Sequence, residues 1–309
     1  MPLDPRAKRF LDMTTVMPGA GDARPPIAER RIALAKLMQF GGADRISSPG
    51  SDGNFALPDR ELPYRLYAPS AADGAVLPGI VFFHGGGMVA GSVATHDLIC
   101  RALAEESGCR LLSIGYRLAP EHRFPAAIED AIAGVRATAR HAATFGIDAS
   151  RLAICGDSAG ATLTAIACQM LRDELPIALQ CLICPVLDFG ATWPSRREFA
   201  RGYLIDDTTL SADLADFLPE GINPADPRVS PLRAGDLDRL APAIIHAAEF
   251  DPLRDEGDAY AVELAAAGIP VDHTCHPGMP HNFHALGGVL PQGREVLKTI
   301  GMQIQQALG

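Results

Sequence analysis

The sequence predicts an α/β fold in which helices cover both faces of a mostly parallel central sheet. The main observation is that, from about residue 75 onward, short apolar runs alternate with helical patterns. The runs are continuously apolar, which is typical of strands buried on both faces of a sheet. The helical segments between them supply the crossovers that parallel strands require.

The apolar runs are predicted as strands. They cover residues 79–83, 110–116, 152–155, 179–184, 243–247 and 271–275. The last strand begins at Val271 and ends at Cys275, and we expect it at an edge of the sheet. Apolar residues at helical spacing predict helices over residues 96–107, 125–144, 161–172, 258–267 and 294–308, with Gly268 as the C-cap of the fourth.

The alternation of strands and helices lies within residues 46–189 and 227–309. Two other segments do not fit it. Residues 1–45 have the pattern of two helices broken at residues 18–21. Residues 190–226 are polar with interspersed aromatic side chains. An insertion of this size between strands is usually functional, as a lid for example.

Composition and charge exclude several kinds of partner. Apolar residues make up 48% of the chain and charged residues 21%, which suits an ordinary globular protein. The formal net charge of −10 disfavours nucleic acid, whose phosphates need Lys and Arg. No apolar stretch is long enough to span a membrane, and the amino terminus lacks the apolar core of a signal peptide. The expected compartment is therefore the cytoplasm.

Seven cysteines are scattered through the chain, several of them inside apolar runs. Cys181 and Cys184 have CxxC spacing, but no second pair exists to complete a zinc site. The later histidines lack an HExxH-type spacing, so no metal site is predicted from them either. Reduced thiols that fill the core are the better interpretation.

The strongest local signal is the sequence GDSAG at residues 156–160, between a predicted buried strand and a predicted buried helix. This context is that of a nucleophile elbow, in which Ser158 adopts a strained backbone conformation and projects its hydroxyl above the sheet. Gly156 and Gly160 are needed because side chains there would collide in so tight a turn. The alternative is a turn of small residues with no chemical use.

A second signal is His84 followed by Gly85, Gly86 and Gly87 at the end of a predicted strand. Consecutive glycines let backbone N–H groups approach a substrate, as an oxyanion hole for acyl transfer requires. The N–H of Ala159 is the natural further donor. A flexible turn is the alternative, whereas a phosphate-binding loop is disfavoured because the segment matches neither GxGxxG nor GxxxxGK(S/T).

A serine hydroxyl becomes a good nucleophile when a histidine takes its proton and a carboxylate orients that histidine. In this kind of fold the acid and then the histidine follow the serine. His281 lies in a loop after the last predicted strand, where such a histidine belongs, and His284 is its competitor. The candidate acids are Glu249, Asp251, Asp255 and Asp258. Asp251 lies just past the carboxyl end of a strand that runs into Glu249, whereas Asp255 and Asp258 fit the first turn of the next helix.

Several blocks of sequence, in this order, resemble the hormone-sensitive-lipase-like bacterial carboxylesterases of the α/β-hydrolase superfamily, in the branch whose elbow reads GDSAG. They are residues 84–87, 116–127, 156–160, 226–232, 249–257 and 278–283. The resemblance covers nearly the whole chain and implies the α/β-hydrolase fold. It also implies a helical cap built from residues 1–45 and 190–226, while residues 46–189 and 227–309 form the catalytic domain.

Carried over residue by residue, the resemblance implies a catalytic triad of Ser158, Asp251 and His281, with no cofactor and no metal. His84 would brace the glycine loop. The N–H groups that would form the oxyanion hole belong to Gly86, Gly87 and Ala159. Candidate substrate contacts are Met88, Asp157, Phe199, Tyr203, Leu204, Phe217 and Phe283; for Asp157 a structural role is the alternative.

The resemblance further implies hydrolysis of carboxylic esters, with short- to medium-chain acyl groups favoured over long-chain triglycerides. An amidase or aryl-formamidase on the same triad is one alternative. A non-catalytic small-molecule receptor is another, disfavoured because no triad residue is missing. Similar proteins often dimerise through the last strand, so we expect a homodimer through residues 271–275, although Asp272 and His273 place charge on that edge.

Overall fold

In a computed structural model, residues 1–15, 25–41, 48 and 50–309 are described. The helices of these residues are α1 (Pro5–Thr15), α2 (Ile27–Met38), α3 (Asp97–Ser107), α4 (Ala126–Arg140), α5 (Ala159–Leu171), α6 (Pro194–Glu198), α7 (Asp207–Phe217), α8 (Arg254–Ala266) and α9 (Pro291–Leu308). The strands are β1 (Gly50–Ala56), β2 (Glu61–Tyr67), β3 (Leu77–Phe83), β4 (Arg110–Ile114), β5 (Ile147–Asp157), β6 (Ile177–Ile183), β7 (Ala243–Phe250) and β8 (Val271–Pro280). The predicted break at residues 18–21 lies outside the described residues.

The strands form one sheet in the order β1-β2-β4-β3-β5-β6-β7-β8. In this order, β4, β3, β5, β6, β7 and β8 are each parallel to their neighbours within that group. β2 is antiparallel to both β1 and β4. The predicted mostly parallel sheet is confirmed, and β8 lies at its edge as expected. Because β3, β5, β6, β7 and β8 are parallel, their carboxyl ends lie on the same side of the sheet. The residues that follow these strands therefore gather there.

Helices cover both faces of the sheet, and the alternation of β3 shows how. Val81 and Phe83 pack in one buried cluster with residues of α4 and α5, whereas Ile80 and Phe82 pack in another with residues of α3 and α9. A third cluster joins α5 to α8. The layered core predicted from the continuous apolar strands is therefore present.

The antiparallel pair β1 and β2 was not predicted. The two strands pair from Gly50 opposite Tyr67 to Ala56 opposite Glu61. β1 leaves most of its residues exposed, and β2 contains Pro63 and has only two buried positions, Leu62 and Tyr67. Neither strand is a continuous apolar run, because this end of the sheet is not covered on both faces.

The ends of two predicted elements are corrected in a way that matters for the site. β8 continues past Cys275 to Pro280, so it carries the chain directly to His281. α8 begins at Arg254, about one turn before the predicted start, and Asp255 and Glu256 occupy its first turn. Acidic side chains are favoured there by the helix dipole.

The cysteines are free thiols, and six of the seven are buried. Cys155 on β5 lies opposite Cys181 on β6 in the interior of the sheet. Cys184 follows β6 and is also buried, while Cys275 on β8 is exposed. The expectation of core-filling thiols is thus confirmed for all but Cys275.

Two histidines join β7, β8 and α9 through partly buried hydrogen bonds. His246 Nδ1 lies 2.8 Å from His276 Nε2, and His246 Nε2 lies 2.9 Å from Oε1 of Gln303. The two imidazole rings are stacked with their centroids 5.1 Å apart. Burial lowers the pKa of both His246 and His276 to about 4, so both rings are neutral in the folded protein at neutral pH.

This pair predicts a loss of stability in mild acid. In the unfolded chain His246 binds a proton near pH 6.5, roughly the ordinary pKa of histidine, whereas in the folded chain its pKa is about 4. The unfolded state therefore takes up the proton first, and stability falls as the pH drops from about 6.5 toward about 4. For His246 alone we expect a loss of about 2 kcal/mol between about pH 7.5 and about pH 5, measured by urea unfolding.

The matched variants are His246→Gln, which removes the titrating group but keeps a polar side chain, and His122→Gln, at an exposed position. The first should flatten the dependence of unfolding free energy on pH, and the second should leave it as in the parent. An equally steep pH dependence in the His246→Gln protein would contradict the assignment.

Candidate active site

Ser158 stands at a sharp turn between β5 and α5. Its backbone has φ 52° and ψ −118°, a region that residues other than glycine rarely adopt. A Cβ added to Gly156 would lie 2.4 Å from the backbone of Gly160, and one added to Gly160 would lie 1.9 Å from the carbonyl oxygen of Phe83. The two glycines of GDSAG are therefore required by close packing of the turn against β3.

A chain of hydrogen bonds links Ser158 to His281 and Asp251. His281 Nε2 lies 3.2 Å from Ser158 Oγ, and His281 Nδ1 lies 2.7 Å from Asp251 Oδ2. The other carboxylate oxygen of Asp251 accepts the N–H of Leu253 at 2.8 Å. Because the carboxylate is held on both sides, it can orient the imidazole ring, and the ring can take the proton of the serine hydroxyl.

The parallel sheet explains why these side chains meet. Ser158 follows β5, Asp251 follows β7 and His281 follows β8, so all lie beyond the carboxyl ends of nearby strands. The competing residues have other partners. His284 Nε2 lies 3.5 Å from a carboxylate oxygen of Asp157, and Asp255 accepts an N–H from α6.

The glycine loop after β3 passes directly beside the elbow. Gly86 and Gly87 have φ values of +121° and +65°, which favour glycine. A Cβ on Gly86 would lie 2.3 Å from the carbonyl oxygen of Ala90, so the loop is also too tight for a side chain. Ala159 opens α5, and its N–H belongs to the first turn, which has no acceptor within the helix. Backbone donors at such places can stabilise a negatively charged oxygen.

Asp157 is 1% exposed and lies in a network beneath the glycine loop. Its Oδ1 accepts the N–H of Gly85 at 3.0 Å, and its Oδ2 lies 3.3 Å from His96 Nε2 and 3.5 Å from His284 Nε2. Burial by itself raises the pKa of Asp157, but the histidines outweigh burial and hold that pKa well below its ordinary value. The structure thus gives Asp157 the structural role, and not a place on a substrate-facing wall.

His84 supports the same loop from the other side. Its Nδ1 lies 2.9 Å from the carbonyl oxygen of Gly85, and the hydroxyl of Tyr116 donates to the carbonyl oxygen of His84 at 2.7 Å. The rings of His84 and Tyr116 are stacked with centroids 4.3 Å apart. Burial lowers the pKa of His84 to about 3, so the ring is neutral and serves packing and hydrogen bonding.

The predicted aromatic and apolar wall residues fall into two groups. Met88 and Phe217 belong to the same buried cluster as Ala159. Phe199 and Tyr203 instead pack against the residue that precedes the acid. Their ring centroids lie 5.5 and 5.7 Å from that of Phe250.

Two further predicted contacts lie on the α3 and α9 side of the sheet. Leu204 has φ +78° and packs against the cluster on that side. Phe283 is fully buried in this cluster, and its ring lies against those of His276 and His284 at centroid distances of 4.9 and 6.1 Å. The structure therefore places Phe283 in the core beside His276 and His284, and its role as a substrate contact stays a prediction.

Two residues next to the site were not predicted. His96 precedes α3 without any motif, and its Nδ1 lies 2.9 Å from Thr95 Oγ1, which orients the ring toward the elbow. Cys184 has φ +46° and is 1% exposed. Cys184 directly follows β6, just as Ser158 follows β5 and Asp251 follows β7. Its place after a predicted strand could therefore have indicated that it lies next to the site.

Comparisons with known proteins identify the family of this chain. Residues 80–285 match a protein family whose members are described as having the alpha/beta hydrolase fold. An ethyl acetate hydrolase of Pseudomonas putida is 35% identical over 100% of each chain, and a carboxylic ester hydrolase of Mycobacterium tuberculosis is 43% identical over 91% of this chain and 77% of its own. An ester hydrolase from the metagenome of Lake Arreo has a TM-score of 0.93 and 39% identity, with 99% of each chain covered.

The match extends over most of the chain in sequence and over nearly all of it in structure. The resemblance inferred from the GDSAG and HGGG blocks is thereby confirmed. The chain belongs to the α/β-hydrolase family and, within it, to the hormone-sensitive-lipase-like carboxylesterases.

Proposed function

We propose that this protein hydrolyses carboxylic esters with short- to medium-chain acyl groups through an acyl-enzyme on Ser158. The hydrogen-bonded chain from Ser158 through His281 to Asp251 carries the proposal, because it unites a nucleophile, a base and an orienting acid. The names of its relatives support ester hydrolysis, and one of them is an ethyl acetate hydrolase.

In the first half of the reaction, Ser158 Oγ attacks the ester carbonyl carbon while His281 Nε2 takes the hydroxyl proton. Asp251 keeps the proton of the neutral ring on Nδ1 and stabilises the imidazolium that forms. His281 then gives the proton from Nε2 to the leaving alcohol. In the second half, water replaces the serine hydroxyl as the attacking group, and the acid is released.

Negative charge develops on the carbonyl oxygen in both halves. We assign its stabilisation to the N–H groups of Gly86, Gly87 and Ala159, which belong to the glycine loop and the start of α5. Donors of this kind are effective only if they are held in place before the charge appears. The hydrogen bond from the Gly85 N–H to Asp157 supports this role, because it ties the glycine loop to the elbow.

We propose that α2 and α7 form the cap over this site. Arg30 on α2 forms ion pairs of 2.7 Å with both Asp213 and Asp216 on α7, and these side chains are 10–16% exposed. Leu34 of α2 and Asp213 of α7 also touch the glycine loop. A Cβ on Gly86 would lie 2.9 Å from Leu34 Cδ2, and one on Gly87 would lie 2.0 Å from Asp213 Oδ2.

The proposed cap lies against the glycine loop that carries the assigned oxyanion donors. Met88 and Phe217 are buried in the cluster that contains Ala159, so they are the apolar residues we propose as walls for the acyl chain. Phe199, Tyr203 and Leu204 remain proposed contacts on the side of the acid. The preference for short- to medium-chain acyl groups rests on the resemblance to the hormone-sensitive-lipase-like carboxylesterases.

The function is tested with p-nitrophenyl esters of increasing acyl length and with the matching p-nitroanilides. We expect the highest kcat/KM on short to medium acyl esters and little turnover of the anilides, which would instead dominate for an amidase. Ser158→Ala should lower ester turnover on the order of 10⁵-fold and abolish labelling by a fluorophosphonate. A Ser158→Ala protein within about tenfold of the parent in kcat/KM would rule out the assignment.

The choice of acid is tested by two matched substitutions. Asp251→Asn should lower kcat by about 10³–10⁴-fold, less than the loss of the serine, because the asparagine still contacts the ring but favours the wrong tautomer. Asp255→Asn should change kcat by no more than a few-fold, since Asp255 accepts the N–H of Ser195 and does not contact the histidine in this structure. If Asp255→Asn were the more damaging change, Asp251 would not be the acid.

We also propose that two copies associate through the edge of β8. The support is the position of β8 at the end of the sheet, where backbone groups are open to another strand. Light scattering at micromolar concentration should give the mass of a dimer. Replacing the exposed Cys275 by Lys should shift the measured mass toward that of the monomer, because a charge on the outermost strand opposes pairing with another strand. A parent protein of monomer mass would end this proposal.

We also propose that the protein resides in the cytoplasm. The seven free cysteines support it, since reduced thiols are the norm in a reducing compartment. Within the described ranges, no helix has the length and apolar character needed to cross a bilayer.

A further inference from the structure

We infer that Cys184, Asp251 and His281 together form an inhibitory binding site for a soft divalent cation such as Zn²⁺ or Cd²⁺. The inference goes beyond ester hydrolysis but rests in part on the proposed function, because two of the three ligands are the acid and base of the triad. It starts from the position of Cys184 in the sheet.

The order of the strands places Cys184 between the nucleophile and the acid. β6 lies between β5 and β7, and the residues after β5 and β6 continue the backbone hydrogen bonding of the sheet. The N–H of Ser158 donates to the carbonyl of Ile183, and the N–H of Cys184 donates to the carbonyl of His246. Cys184 is thus held by backbone bonds at the carboxyl edge where the triad assembles.

Three donor atoms meet at this point. The Sγ of Cys184, a carboxylate oxygen of Asp251 and a ring nitrogen of His281 all lie within 4.8 Å of one another. Ligand atoms of a tetrahedral zinc ion are separated by roughly 3.5 Å, which follows from bonds of about 2.0–2.3 Å. Among the described residues, no other three His, Cys, Asp or Glu side chains bring donors so close together.

The charges of these ligands suit a divalent cation in a buried place. All three side chains are about 1% exposed, so an unbalanced ion would be costly to bind. A thiolate and a carboxylate supply two negative charges, and a neutral imidazole adds none, so a dication makes the site neutral. Thiolate and imidazole favour Zn²⁺ and its softer analogue Cd²⁺ over Mg²⁺ or Ca²⁺.

Binding must release one proton. Metal ions bind the thiolate of a cysteine and not the thiol, so the proton on Cys184 must leave. The S–H bond breaks, a bond between sulfur and the metal forms, and the proton leaves to solvent. No oxidant or reductant takes part.

Occupancy would disable the base through its tautomer. In the working site His281 Nδ1 carries the proton that it donates to Asp251, and Nε2 accepts the proton of Ser158. A cation between Asp251 and His281 takes the lone pair of Nδ1, and the ring proton moves to Nε2. Nε2 then carries a hydrogen and is unable to accept the serine proton, so attack on the ester stops.

The first experiment measures inhibition in metal-buffered solutions of Zn²⁺, Cd²⁺ and Mg²⁺. Each protein is compared with its own metal-free activity, using the parent, Cys184→Ser, and Cys275→Ser as the matched control at the exposed thiol. We expect Zn²⁺ and Cd²⁺, but not Mg²⁺, to inhibit the parent and the Cys275→Ser protein. The half-inhibitory concentration should rise roughly 100-fold or more in Cys184→Ser, because one strong ligand is lost.

The second experiment needs no activity. Ser158→Ala keeps all three ligands, so it should bind one Cd²⁺ per chain in equilibrium dialysis and show the ultraviolet charge-transfer band of a cadmium–thiolate bond. The double variant Ser158→Ala/Cys184→Ser should lose the band, whereas Ser158→Ala/Cys275→Ser should keep it. Circular dichroism and thermal unfolding verify that each variant folds.

Two results would overturn the inference. One is equal inhibition of the parent and Cys184→Ser by Zn²⁺ and Cd²⁺, and the other is a cadmium–thiolate band that depends on Cys275. Failure of the proposed function is distinguishable from both, because an inactive parent that binds Cd²⁺ through Cys184 would contradict the ester hydrolysis and leave the metal site in place.

Discussion

The site depends on one hydrogen bond, from the N–H of Gly85 to the carboxylate of Asp157. It joins the loop after β3, which carries the proposed oxyanion donors, to the residue that precedes the nucleophile. A side chain at Gly85 would prevent it, because a Cβ there would lie 2.5 Å from Asp157 Oδ2. His96 and His284 face the same carboxylate from the α3 and α9 side, so the position of the loop is coupled to the packing of the core.

This arrangement explains how a strained residue is held in place. The backbone of Ser158 lies in a region that costs on the order of 1–3 kcal/mol for a residue with a side chain. The turn is fixed by the hydrogen bond from the Ser158 N–H to Ile183, by Gly156 and Gly160 packed against β3, and by α5 starting at the next residue. The strain persists because three neighbouring elements each permit only this conformation.

Features that depend on local sequence patterns could be predicted from the sequence. Features that depend on contacts between residues distant in the chain could not. The parallel strands and Ser158 were predictable, because continuous apolar runs and a GxSxG turn are local patterns with one physical explanation each. β1 and β2 were not, since a half-exposed antiparallel pair lacks such a pattern. His96 was missed because its partner Asp157 is distant in sequence. The burial of Phe283 was not foreseen, because its closeness to His281 in the chain does not show which side of the sheet its ring occupies.

The same constraint that assembles the triad brings an unneeded ligand beside it. The adjacent parallel strands β5, β6, β7 and β8 bring the residues that follow them to the same end of the sheet, and the chemistry uses only those after β5, β7 and β8. The position after β6 must be buried and accept φ +46°, requirements that do not specify a thiol. A cysteine there fills the space as well as another small residue, but it adds the soft donor that completes a metal-binding set. Sensitivity to soft cations would therefore be a property of residue 184, separable from the ester chemistry that the rest of the edge performs.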